Sequence, residues 1–199
     1  MKKFAILILS GFFLISGSWK PQANTIHKFE IMVAGIRVGS MVATRTISED
    51  ITVYNLKSDV NIYLFHWYRV LDEITSTYSN GKLLNATIKT SVGHKNYSST
   101  VEWRKDHYEI NIKGYNYSKT CTEANPITWS VARLYFEEPP YVAEIFSEDY
   151  GIFSEVYVIK PHCDQLVLLG KKDKFIYENN ELHKADMQST IKDFIIKAE

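Results

Sequence analysis

The chain has 199 residues with 23 basic and 23 acidic side chains, so it carries no formal net charge; without Lys2 and Lys3 the balance is −2. No basic face follows from that balance, which argues against nucleic acid and anionic membrane surfaces as partners. Aromatic residues make up 14%, including thirteen Tyr, a composition that suits half-buried pleated surfaces and sites for apolar ligands.

The N-terminus reads MKKFAILILSGFFLISGS. Lys2 and Lys3 precede an apolar run, Phe4 to Ile15, and Ser16 and Ser18 then occupy the −3 and −1 positions of a cleavage site. This is the pattern of a secretory signal peptide, and the run is shorter than the roughly 20 apolar residues that a spanning helix needs. The expectation is therefore a signal peptide over residues 1–18 and one β-rich domain over 19–199. The mature protein is expected to be exported, periplasmic or envelope-associated, with no transmembrane segment.

From there, alternation with period two dominates. HKFEIMV sets Phe29, Ile31 and Val33 on one face against Lys28, Glu30 and Met32, and Gly35 and Gly39 bracket a bend. ITVYNLKSDVNIYLF alternates again, and DEITSTY runs into Ser79-Asn80-Gly81-Lys82, where Asn-Gly is a strong hairpin signal. Further turns are expected at Gly93 to Asn96, at Arg104-Lys105-Asp106 and at Glu178-Asn179-Asn180-Glu181. Strands that follow one another through short turns, without intervening helices, predict an antiparallel meander. About nine such strands would curl to remove their edges. The predicted fold is all-β and mainly antiparallel, a rolled meander or half-open β-barrel. It carries one short helix near residues 126–136, where Pro126 opens PITWSVARLYF and Pro139-Pro140 stops it.

The stretch RLYFEEPPYVAEIFSEDYG concentrates five carboxylates. Glu137 and Glu138 precede two prolines, and Glu148 and Asp149 precede Tyr-Gly, so these acids read first as solvated turn residues. A ligand rim is the next reading. A hydrolase would require Glu137, Glu144 and Asp149 to converge in a cleft.

Little else in the chain carries chemistry. The six His are dispersed, and Pro161-His162-Cys163-Asp164 reads better as a turn than as a metal site. There is no phosphate loop and no Gly-x-Ser-x-Gly elbow. No catalytic residue, metal ligand or cofactor is assigned. Cys121 and Cys163, the two cysteines, either form one disulfide in an oxidising compartment or remain buried thiols. Aromatics recur along consecutive strands, and the ligand-binding candidates are Phe65, Trp67, Tyr78 and Trp103. Tyr141 and Phe146, between the acids, are added as a lid.

FEIMVAGIRVGSMVATR, LYFEEPPYVAEIFSEDYGIF and YENNELHKADM together resemble a family of small exported proteins of unknown function from Bacteroidota. More distantly they resemble periplasmic antiparallel-sheet families. The resemblance implies an exported β-rich protein and assigns no activity. The expected function is non-catalytic binding of a lipid or other apolar or amphipathic small molecule within a curved sheet. The alternatives are a structural or protein-interaction scaffold with a filled core, and a hydrolase using the acids of 137–149.

Overall fold

In the computed structural model, residues 23–63, 67–114, 117–189 and 192–199 are described. The expected signal peptide and Phe65 lie outside them. Fourteen strands form one antiparallel sheet. The first eight are β1 (Ala23–Val33), β2 (Ile36–Ser48), β3 (Ile51–Tyr63), β4 (Trp67–Ser79), β5 (Lys82–Val92), β6 (Lys95–Trp103), β7 (Tyr108–Lys113) and β8 (Ser118–Glu123). The rest are β9 (Glu144–Ser147), β10 (Ile152–Lys160), β11 (Cys163–Leu168), β12 (Lys171–Glu178), β13 (Glu181–Met187) and β14 (Phe194–Ala198).

The order in the sheet is β8-β7-β6-β5-β4-β3-β2-β1-β14-β13-β12-β11-β10-β9. Every strand except at the β8–β9 step therefore pairs with its neighbours in sequence, and the first strand pairs with the last through Phe29–Ala198 and Ile31–Ile196. The meander is as expected, and its edges, β8 and β9, are not hydrogen-bonded to each other.

Turn chemistry sets the registers. Asn80 and Gly81 have φ of 50° and 76°, and Asn179 and Asn180 have 53° and 67°. Two consecutive left-handed residues give the tight hairpins whose twist matches the strands, and Asn tolerates that region nearly as well as Gly. Alternation then carries one side chain in two inward. Phe29, Ala43, Leu83, Val101, Ile110, Phe146 and Ala185 are fully or almost fully buried in a single core. Phe29 meets the Tyr135 ring edge-on at 5.8 Å, and burial of such a ring is worth roughly 3–5 kcal/mol against alanine.

The helix expected over 126–136 is a single 3-10 turn, Val131–Tyr135. Tertiary hydrogen bonds override the helical spacing on either side of it. The Leu83 N–H donates to the Ile127 carbonyl at 2.8 Å, the Ile127 N–H donates to the Tyr108 hydroxyl at 3.2 Å, and the Phe146 N–H donates to the Trp129 carbonyl at 3.0 Å. Backbone groups committed to the sheet cannot also close helical rings. This segment, which links β8 to β9, buries Ile127, Ala132, Leu134, Tyr135 and Phe136. It acts as a plug across the inside of the roll.

The plug and the β9–β10 turn close the seam that the sheet leaves open. The Lys119 ammonium donates to the Gly151 carbonyl at 2.9 Å, and the Tyr117 hydroxyl donates to the Tyr150 carbonyl at 3.2 Å. Gly151 sits at φ 61°, and a Cβ there would lie 2.6 Å from the Ile110 side chain and 2.9 Å from that of Ile112. Gly151→Ala would combine left-handed strain with overpacking against β7. The expected loss is about 2–4 kcal/mol in urea denaturation, with no change in the slope. A loss under about 0.5 kcal/mol would mean that the seam is not packed as described.

Candidate functional site

The hollow of the roll is only partly filled. A cavity of about 580 Å³ lies between the plug and the ends of β1 to β4 on one side and of β13 and β14 on the other. Its walls are mostly aliphatic, with Ile31, Met41, Leu56, Val60, Val70 and Ile196 prominent. Those residues share one face because they alternate along neighbouring strands at matched register, Val60 opposite Val70 and Gly39 opposite Val60. At the mouth stand Tyr63 and Trp67, which close the β3–β4 hairpin and are 61% and 71% exposed. Their rings meet edge-on at 5.5 Å. The plug supplies the floor, with Val131 and Tyr135.

Two carboxylates interrupt this apolar lining, Asp72 on β4 and Asp149 in the β9–β10 turn. Asp72 faces inward because it shares a side of β4 with Val70 and Ile74, and the Thr90 hydroxyl on β5 donates to it at 2.5 Å. Burial raises the Asp72 pKa above the usual carboxylate range, and the Thr90 hydrogen bond offsets only part of that. Asp149 lines the cavity from a turn in which the residue stays exposed to solvent. Crowding by surrounding protein raises its pKa, and the nearby charges of Asp72 and Glu148 raise it further.

Its neighbour Glu148 has a different role. That side chain is 1% exposed. Its carboxylate accepts from the Ser76 hydroxyl at 2.8 Å, the Val131 N–H at 3.1 Å and the Ala132 N–H at 3.4 Å. Ser130 at the start of the 3-10 turn makes no side-chain cap, so Glu148 satisfies donors that the turn leaves free. Burial raises its pKa, and hydrogen bonding, to Ser130 first and then to the Glu148 backbone, Ser76 and the Ala132 N–H, holds the rise down.

The expectation that all these acids are solvated turn residues is thus corrected for Glu148, while Asp149 is an exposed turn residue that also lines the cavity. Glu137 binds Arg133 at 2.9 Å and accepts from the Tyr54 hydroxyl at 3.3 Å, Glu138 meets His162 at 2.7 Å, and Glu144 is exposed. Of the three acids that a hydrolase would bring together, Asp149 alone lines the cavity.

Among the aromatic candidates, Trp67 lines the cavity. Tyr78 is buried beneath the plug, its hydroxyl donating to Ser130 at 2.7 Å and its ring edge-on to Tyr54 at 5.6 Å. Trp103 packs on Tyr108 at 4.8 Å under the Lys82 ammonium. Phe146 is core, packed on Phe153 at 5.4 Å, and Tyr141 is 96% exposed. Neither lines the cavity: Phe146 is on β9 with its ring in the core, and Tyr141 lies exposed in the segment before β9. Cys121 on β8 and Cys163 on β11 are free thiols, held on strands near opposite edges of the sheet. Among the described residues there is no group of three or more His, Cys, Asp or Glu that could hold a metal ion. No helix among them is long and apolar enough to cross a membrane.

Sheet and cavity together define an open, barrel-like all-β protein with an apolar hollow. The chain belongs to the family described as a domain of unknown function, DUF6134, whose model matches residues 29–199. The fold is also similar to the crystal structure of a beta-barrel-like protein of domain of unknown function DUF1849 from Brucella abortus. That likeness covers 90% of this chain and 95% of the other, with a TM-score of 0.50 and 9% identity, so it is one of fold. No curated protein matches the chain.

Asp149 carries a stability signature. An acid whose folded pKa is raised leaves the folded state most favoured below the ordinary carboxylate range, near 3.9, and that contribution is lost as pH rises through the raised value. Asp149→Asn removes the group. Its melting temperature should exceed that of the parent at pH 8, and the two should converge toward pH 4. A variant that melts lower than the parent at pH 8 would show Asp149 to be a structural anchor instead.

Proposed function

We propose that this is an exported envelope protein that binds an apolar or amphipathic small molecule in its hollow, without catalysing its conversion. The observation that carries the reading is the cavity, about 580 Å³ and walled mainly by aliphatic side chains. That volume lies within the usual range for small-molecule sites, which are concave, mostly apolar and furnished with a few polar groups. A scaffold with a filled core would have no reason to leave it. The exposed Tyr63–Trp67 pair supports entry from that end, since aromatic rings at a rim bury readily against an arriving apolar chain. Export is supported by the basic, then apolar, then small-residue order of the first 18 residues.

Diphenylhexatriene, neutral and apolar, serves as the test. Its fluorescence should rise on titration with the protein, and Val70→Trp, which fills the cavity, should weaken binding by roughly tenfold or more. Equal binding by the parent and a folded Val70→Trp variant would place the probe elsewhere. No fluorescence change with the parent, together with native mass spectra free of adducts, would defeat the reading.

A further inference from the structure

We infer that the open end of the roll seats on the surface of a zwitterionic phospholipid bilayer, with Ile36, Tyr63 and Trp67 in the interface and Lys192 beside the lipid phosphates. The inference goes beyond the binding role proposed above and does not depend on it.

The meander gathers three turns at this end. Val33 pairs with Ile36 across the β1–β2 turn, Tyr63 with Trp67 across the β3–β4 turn, and Met187 with Phe194 across the β13–β14 turn. Met32 lies opposite Ile195, and Gly39 lies opposite Val60, three residues in from each tip. The three turns therefore stand side by side, and all of them border the mouth of the cavity.

Their chemistry differs from that of the turns at the other end of the same strands. There the β2–β3 and β4–β5 turns read Ser48-Glu49-Asp50 and Ser79-Asn80-Gly81, with no large apolar side chain. At the mouth, Ile36, Tyr63 and Trp67 are 68%, 61% and 71% exposed. One exposed apolar residue is ordinary, but a grouped set marks an interaction surface.

Lipid fits this set better than a protein partner does. A stable protein interface needs roughly 1,000 Å² or more with a packed centre, and the centre here is an opening. Fluid acyl chains surround separate side chains without a matched surface. Tyr and Trp suit the boundary itself, because the ring buries while the hydroxyl or indole N–H stays with headgroups and water. The charge pattern agrees. The arginines behind the tips are neutralised, Arg37 by Glu30 and Glu199, and Arg69 by Asp59 at 2.6 Å. Lys192, exposed at the rim, offers three N–H donors to phosphate oxygens.

Phosphatidylcholine vesicles with brominated acyl chains test the contact, since bromine quenches an indole that it touches. The full chain is used throughout. The Trp67 signal is the difference between the parent and Trp67→Phe, which share the apolar run of residues 4–15 and the other three Trp. Bromolipid should remove most of the Trp67 emission, and Ile36→Asp should raise the lipid concentration needed roughly tenfold. Ile159→Asp, on β10 toward the other end of the roll and 52% exposed in the parent, should leave it unchanged. Trp67 emission that lipid does not quench would overturn the inference. So would quenching that Ile159→Asp weakens as much as Ile36→Asp does. A parent that sediments as a dimer without lipid, and as a monomer after Ile36→Asp, would assign the rim to a second copy and also overturn it. Diphenylhexatriene binding by a chain whose Trp67 stays unquenched would remove this inference alone. Quenching without diphenylhexatriene binding would uphold it and remove the ligand role instead.

Discussion

Everything inside this roll depends on how a buried carboxylate, that of Glu148, ties the plug to the sheet. A carboxylate 1% exposed is costly unless its lone pairs are used, and here the Ser76 hydroxyl and the N–H groups of Val131 and Ala132 use them. The three partners come from β4 and from the 3-10 turn, while Glu148 itself belongs to the β9–β10 turn. One side chain therefore ties three parts of the chain that are far apart in sequence. Because β8 and β9 do not pair, this tie and the Lys119 and Tyr117 contacts to the same turn do the work that a closing ladder does in a complete barrel. The plug's position then sets where the hollow ends.

The residue next to it shows what the same turn can do otherwise. Glu148 and Asp149 are adjacent and equally charged, yet Glu148 is 1% exposed and saturated with donors, while Asp149 stays exposed at the cavity wall. Glu148 reaches groups of the protein itself, and Asp149, one residue on, is left to solvent and to whatever enters the hollow.

Much of this was legible from residues alone, and the exceptions have a common cause. Period-two alternation and the Asn80-Gly81 and Asn179-Asn180 turns specify strands and registers because both are local properties. The plug misleads because Ile127, Val131 and Leu134 keep helical spacing, while its first residues are held extended by the Leu83 and Phe146 N–H groups, which donate to it, and by the Tyr108 hydroxyl, which accepts from it. The aromatic density misdirects the site for a similar reason. Tyr78, Trp103 and Phe146 are on strands, but at positions under the plug or in the packed core, and the chamber falls where Val, Ile, Leu and Met alternate. Trp67 is the aromatic candidate that reaches it. For Glu148, turn chemistry predicts the solvation of a surface turn, which Asp149 keeps; Glu148 loses it because this turn is packed by Gly151 against Ile110 and Ile112. A glycine directly after Glu-Asp-Tyr was the available signal.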